Sequence, residues 1–304
     1  MSIVIPALNE AVALPALLRR LSTLDPPPLD VVVAVGDSDD ATADIARAAG
    51  AVVVRGERGR ARQMNAGAGA ARGDVLLFLH ADTYPPPDVC DVALDAMNDD
   101  DRVVLGGFVS IIETRGRTFW GLSMHNVVKS FYCPAMFRPR SFARGLRVLF
   151  GDQAMFCRAR DFAYVGGFDE ALPIMEDADL CVRMHVAGPS ADGDDANASG
   201  DDANASFALT TPLPACEDFG KWRLEAGKAG EPPAYRREDV RPEGRRRGRV
   251  VLVNRLVTTS GRRVEGLGNA KATAVHFLIG LGWYFGADPD AMVRLYRRFY
   301  ADVR

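Results

Sequence analysis

Short apolar runs alternate with amphipathic stretches along the first 110 residues. Ser2–Pro6, Asp30–Val35, Val52–Arg55 and Val75–Leu79 read as strands. The near-continuous valine of 31–35 marks a strand covered on both faces. Between them, Leu14, Leu17, Leu18 and Leu21 place one apolar stripe on a helix over Ala13–Leu21, stopped by Pro26-Pro27-Pro28. Further helices are predicted over Asp40–Ala49, ended by Gly50, over Arg60–Arg72, and over Asp88–Met97. A strand follows over Val103–Ile112. This alternation predicts an α/β chain with a mostly parallel sheet and helices on both faces.

From Trp120 to Leu149 no single period holds, and the stretch is aromatic and basic. Gln153–Arg158 reads as a strand and Ala178–Ala187 as a helix. Beyond Gly188 the pattern collapses. Gly193–Ser199 is repeated at Gly200–Ser206, small polar residues with no apolar face, and a Pro-, Gly- and charge-rich stretch runs on to Arg249. Such composition predicts a disordered insertion. The expected division is therefore 1–188, an insertion at 189–248, and 249–304 completing the first domain. The last part carries a strand at Val250–Thr258 and a helical tail at Asn269–Phe285 and Pro289–Arg304.

With 48% apolar residues among 304, the chain can bury a sizeable core. A net charge of −3 gives no case for a nucleic-acid partner, and Arg245-Arg246-Arg247 lacks interleaved aromatics, so it reads as solvated. Five cysteines without a Cys-x-x-Cys pair fit a reducing compartment. No secretory signal is read at the start, so Asn197-Ala198-Ser199 and Asn204-Ala205-Ser206 are taken as products of the repeat rather than glycosylation sites. No run reaches the length of a membrane span. These features predict a cytoplasmic or organelle-internal protein, with peripheral membrane contact through Thr273–Phe285 left open.

Ligands of open α/β sheets bind beyond the carboxyl ends of the strands. Those ends carry Pro6–Glu10, Gly36–Thr42, Arg58–Asn65 and His80–Thr83. Acids, amides and arginines on one edge suit a base, a ribose and a diphosphate. Two residues apart at a strand end, His80 and Asp82 point the same way. Asp82 there suits Mg2+ or Mn2+ held against substrate phosphates, in preference to a helix or turn cap. His80 reads equally as a ligand or as a structural histidine. Glu176 and Asp177 stand at a helix start, where spacing alone does not separate capping from a general base. The glycines at 67 and 69 precede a strand instead of following one, so no dinucleotide fingerprint is present, and there is no phosphate-binding Gly-Lys-Ser/Thr loop.

Taken in order, these segments resemble family 2 glycosyltransferases of the GT-A fold. The matching pieces are Ile3–Glu10, Asp37–Thr42, Gly59–Gly67, Arg72–Thr83, Gly151-Asp152-Gln153-Ala154, Gly166–Asp169 and Met175-Glu176-Asp177. Gln63-Met64-Asn65, His80–Thr83 and Thr259–Arg263 resemble the branch called radical-SAM/selenodomain-associated transferase 2. The resemblance implies a Rossmann-like sheet and an inverting, metal-dependent transfer from a nucleoside-diphosphate sugar, UDP-linked by preference, to an unknown acceptor hydroxyl. It implies Pro6, Asn9, Glu10 and Asp37 at the nucleotide, and Arg60, Gln63 and Asn65 near its sugar or diphosphate. Asp152 and Gln153 fall at the substrate, and Asp82, with His80 in the first position of Asp-x-Asp, at Mg2+ or Mn2+. Asp177 becomes the base of the Glu176-Asp177 pair, and Arg262 or Arg263 closes over the diphosphate. Two positions depart from the pattern: Val35 stands where an Asp is usual, and His80 replaces an acid. They keep an alternative in view, a decayed nucleotide-sugar binding protein on the same fold. A nucleotidyltransferase is a weaker third reading.

Overall fold

The computed structural model describes residues 1–190, 246–262 and 268–300. The tandem repeat, Cys216, Arg245 and Arg263 lie outside the described residues. Nine strands in this set form one sheet: β1 (Ser2–Ala7), β2 (Asp30–Gly36), β3 (Val52–Gly56), β4 (Val75–Phe78), β5 (Thr83–Tyr84), β6 (Val103–Thr114), β7 (Arg117–Thr118), β8 (Phe156–Arg158) and β9 (Arg249–Ser260). Their order is β3-β2-β1-β4-β8-β6-β9-β5, with β7 hairpinned onto β6. Pairs β1/β2, β1/β4, β2/β3 and β6/β9 are parallel. The short β8 runs antiparallel to both β4 and β6 and joins the two halves. The sheet is mostly parallel and the fold is α/β of the GT-A type.

Alternation along the central strands sorts side chains between two cores. Ile3, Ile5, Val33, Val35, Leu77 and Leu79 pack with Leu14, Leu17, Leu18 and Leu21 of α1 (Leu14–Leu21), with α2 (Thr42–Ala48), and with Val89, Ala93 and Met97 of α4 (Val89–Asn98). Val4, Leu76 and Phe78 face the other way, onto Ala61 and Met64 of α3 (Arg60–Ala70) and onto Phe162 and Phe168. Phe78 meets both rings at about 5 Å between centroids. Helix α3 lies so close to the sheet that a methyl at Gly67 would stand 2.5 Å from Val4 Cγ1. Gly67 serves that approach.

Two stretches differ from expectation. The unpatterned region 120–149 contains an 18-residue helix, α5 (Trp120–Phe137), followed by α6 (Pro139–Ala143). Its buried positions include Ser123, Asn126 and Ser130, while Trp120, Met124 and Met136 are exposed. Leu122 and Cys133 also face the core, but the three polar residues between them break the apolar stripe. The strand expected over Gln153–Arg158 is instead a single 3-10 turn at Gly151–Gln153, a left-handed Ala154 with φ of 47°, and only then β8. The Gln153 side chain accepts from the Phe150 N–H and holds the turn.

Helices α7 (Ala159–Tyr164) and α8 (Glu176–Ala187) complete the first part, and α9 (Asn269–Tyr284) and α10 (Pro289–Phe299) close over α5. The chain leaves and re-enters the described structure at one place. The Gly248 N–H donates to the His185 carbonyl, and the Gly248 carbonyl meets His185 Nδ1 at 2.6 Å. No helix among the described residues is long and apolar enough to cross a membrane.

Candidate active site

A cavity of about 780 Å³ opens beyond the carboxyl ends of β1 and β4, between α3, α5, the start of α8 and the helices α9 and α10. Pro6 and Glu10 line it from the β1 exit, Arg60 and Gln63 from α3, and His80 and Asp82 from the β4 exit. Asp152, Glu176 and Asp177 line its floor. Most sequence-predicted site residues thus converge.

Others sit in supporting positions. Asn9 is exposed, and its Oδ1 accepts from the Asp39 N–H while its own N–H donates to Ser38 Oγ. The Glu10 N–H donates to Thr42 Oγ1. These bonds stitch the β1 and β2 exits together, leaving Asp37 exposed and away from the cavity lining. Val35 is buried in β2 beside Ala7, where an acid would be desolvated. Gln63 reaches the cavity but spends its amide on the carbonyls of Ala7 and Ala34. Asn65 is buried, donates to the Phe168 carbonyl and to Glu170, and accepts from the Phe168 N–H. It clamps the Gly166–Asp169 turn. Gln153 is fully buried behind Asp152. Arg263 lies outside the described residues.

Glu176 and Asp177 are both almost fully buried, an expensive place for two carboxylates. Met175, at φ of 67°, turns the chain sharply into α8 and makes no side-chain cap there. Glu176 is engaged by the Arg60 guanidinium through Nε, a side chain supplied by the start of α3. Its second carboxylate oxygen is buried without a hydrogen-bond partner among the described residues. Asp177 accepts the N–H groups of Gly151 and Ala178, so capping accounts for part of its position only. Burial and the neighbouring Glu176 push its carboxyl up to about 6, against the opposing pull of Arg60 and the two N–H groups. A carboxylate with that affinity for a proton is suited to take one near neutral pH.

The stretch from His80 to Asp82 is a turn, closed by the Thr83 N–H on the His80 carbonyl, and leads to β5 instead of a helix. Asp82 therefore caps no helix. A methyl on Gly151 would stand 2.5 Å from His80 Nε2, so only glycine lets the floor turn approach that ring. The guanidinium of Arg262, just beyond β9, lies 2.9 Å from Asp82 and 3.6 Å from Glu10. Opposed by burial, these two carboxylates raise the arginine above its ordinary value. Among the described residues no three His, Cys, Asp or Glu side chains form a ready-made metal cage. The donor set still fits a hard divalent ion that shares its shell with phosphate: the Asp82 carboxylate faces the cavity, and a cationic group already sits between Asp82 and Glu10.

Sequence reasoning missed one wall of the cavity. Leu122, His125, Asn126, Lys129 and Cys133 of α5 line it at helical spacing. Asn126 donates to Asp152 at 2.6 Å and fixes that carboxylate. Read for polar in place of apolar periodicity, His125, Asn126 and Lys129 carry the signal.

Comparison with known proteins agrees with this geometry. Residues 2–162 match the model of glycosyl transferase family 2. The chain belongs to glycosyl transferase family 2. No curated protein sequence matches it. Among solved structures, glucosyl-3-phosphoglycerate synthase from Mycobacterium tuberculosis, in complex with Mn2+, UDP and phosphoglyceric acid, is 16% identical. The match covers 94% of this chain and 78% of that one with a TM-score of 0.51. The same synthase with Mn2+, UDP and glucosyl-3-phosphoglycerate is 15% identical over 94% of this chain and 80% of that one, TM-score 0.50. S. aureus TarS 1-349 in complex with UDP is 18% identical over 63% of this chain, TM-score 0.47, and the match spans 57% of that fragment. In this family 2 chain the matched segment supplies β1 to β4, the His80–Asp82 turn, α5 and Asp152. The Glu176–Asp177 pair, Arg262 and the α9–α10 wall lie beyond it.

Proposed function

We propose that this family 2 chain is an inverting glycosyltransferase that moves a sugar from a nucleoside-diphosphate donor, UDP-linked by preference, to an acceptor hydroxyl. The observation that carries the reading is the buried Asp177, raised to about 6 at the floor of a cavity whose rim holds Asp82, Glu10 and Arg262. The acceptor oxygen attacks the anomeric carbon and its proton passes to Asp177. The bond from that carbon to the diphosphate oxygen breaks, and its electron pair leaves with the diphosphate. Glu176, held by Arg60, keeps the proton affinity of Asp177 high. Asn126 orients Asp152 toward the sugar. Pro6 and Glu10 receive the nucleotide.

Asp82, with His80 alongside, would hold Mg2+ or Mn2+, which when bound offsets the charge developing on the leaving diphosphate. Arg262 then turns from Asp82 to the phosphates. Gln63, Asn65 and Gln153 act by holding the walls, and Asn9 by holding the two exits together. The forms Gln63-Met64-Asn65 and His80–Thr83 favour the radical-SAM/selenodomain-associated branch. Residues 1–188 and 249–304 act as one catalytic domain in this reading, with 189–248 as an insertion.

The test is a thermal-shift panel of UDP, GDP, dTDP, CDP and ADP with and without Mn2+, followed by donor hydrolysis or transfer in wild type and Asp177→Asn. A Mn2+-dependent shift with one diphosphate, and turnover abolished in Asp177→Asn, are expected. Full turnover in that variant would overturn the role of Asp177.

A further inference from the structure

The far end of the cavity, between α5, α9 and α10, differs in chemistry from the carboxylate-lined floor. Lys129 projects from α5 with its amino group 3.6 Å from the centre of the Phe150 ring. No carboxylate among the described residues pairs with it, although it feels the charges of Asp152 and Asp177. Around it stand neutral partners. His125 meets the Tyr132 hydroxyl at 3.1 Å and His276 meets that of Tyr300 at 3.2 Å. Both imidazoles are held below their ordinary value, first by burial and then by Lys129, His276 down to about 3. Burial lowers the lysine too, against the pull of Asp152 and Asp177, and the histidines remain neutral beside it. On α10, Arg297 adds a second cation to the lining and Asp290 an acid. A cation half-buried against an aromatic ring, with no carboxylate in direct contact, is costly unless a ligand supplies a counter-charge.

We infer that the acceptor is an anion, its phosphate or carboxylate seated on Lys129, its apolar part against Tyr132 and Tyr296, and its hydroxyl toward Asp177. The inference rests on the transfer proposed above. Lys129, Asp177, Tyr132 and Tyr296 line the same cavity, so a group bound to the lysine has the base on one side and the aromatic wall on the other. A neutral acceptor would leave this half-buried lysine without a direct ion pair.

The probe is phenyl phosphate, a dianion on an aromatic ring, with phenol as its neutral counterpart. Each is titrated into the full chain saturated with UDP and Mn2+, and also into the chain without them. Phenyl phosphate is expected to bind the saturated protein at least tenfold more tightly than phenol. Lys129→Gln is expected to lose that preference and Lys129→Arg to keep it, with both variants binding UDP as wild type does. Equal binding of phenyl phosphate by wild type and Lys129→Gln, or no preference over phenol in wild type, overturns the inference. Failure of UDP to bind wild type counts against the proposed donor, whereas UDP binding without a Lys129-dependent anion counts against the proposed acceptor alone.

Discussion

The guanidinium of Arg262 lies 2.9 Å from the carboxylate of Asp82, although the two are 180 residues apart in the chain. The Ser260 N–H also donates to the Asp82 carbonyl, so the end of β9 and the turn after β4 are tied by backbone and side chain alike. A cation already answers the charge of the acid to which a divalent ion is assigned.

Competition at that carboxylate has a direct readout. Arg262→Gln should tighten binding of Mn2+ alone, by about tenfold if a contact worth ~1.4 kcal/mol is released. The same change should slow transfer, because the arginine no longer meets the diphosphate. Titration of free Mn2+ by paramagnetic resonance checks the first part. Unchanged Mn2+ affinity would show that Arg262 and the ion do not share Asp82.

Asp177 imposes a pH dependence with a worked sign. Its carboxyl is raised in the folded chain to about 6, from 3.8. The folded state therefore holds a proton that the unfolded state releases between these values, and stability from this group falls as pH rises through that window. As a base it must be ionised, so kcat/KM should fall below about pH 6. Asp177→Asn should abolish turnover while raising Tm at pH 8. A Tm that drops at pH 8 but not at pH 4 would contradict the assignment.

Removing the counter-charge should move that limb. In Arg60→Gln, Glu176 is left buried without its guanidinium, costing about 2–3 kcal/mol, a little under the usual range because Arg60 is partly exposed. Arg60 also pulls the Asp177 carboxyl down. Its loss should shift the acid limb of the rate profile to higher pH, measured on whatever turnover remains. A limb that stays in place would separate Arg60 from the base.

Asn65 tests support without contact. Asn65→Ala removes three hydrogen bonds to residues 168–170 and leaves the Phe168 backbone groups buried. A loss of about 2 kcal/mol is expected by urea denaturation. UDP binding per folded molecule should change less than twofold. A large loss of UDP affinity at full stability would instead place Asn65 at the ligand.

The elements of the first 110 residues were legible because their strands, β3 at the sheet edge excepted, are buried on both faces and because a helix such as α1 carries an apolar stripe at Leu14, Leu17, Leu18 and Leu21. The convergence of Glu10, Arg60 and Asp82 followed from the rule of strand ends, while Asp177 was placed with them by the family resemblance. The partnership of Arg60 with Glu176 was not legible, since it depends on how the start of α3 meets the start of α8 across 116 residues. Nor was the α5 wall. There Asn126 and Ser130 face inward because they serve the floor turn, and Ser123 because it takes the Ile112 N–H of β6, so the residue types that mark a solvent face mark the protein interior. Lys129 was hidden for the same reason.

The meeting of His185 with Gly248 also bears on how such a chain can vary. Both anchors are set by the sheet, since β9 runs beside β6 from its first residue and Gly248 packs against Val104. Because Gly188, just before the exit, and Arg246 at the return are neighbours, additions or removals between them need not alter the spacing of anything else. A seven-residue duplication such as the one at 193–206 can therefore be inherited without a matching change elsewhere, and a shortened chain should keep the same β9 register.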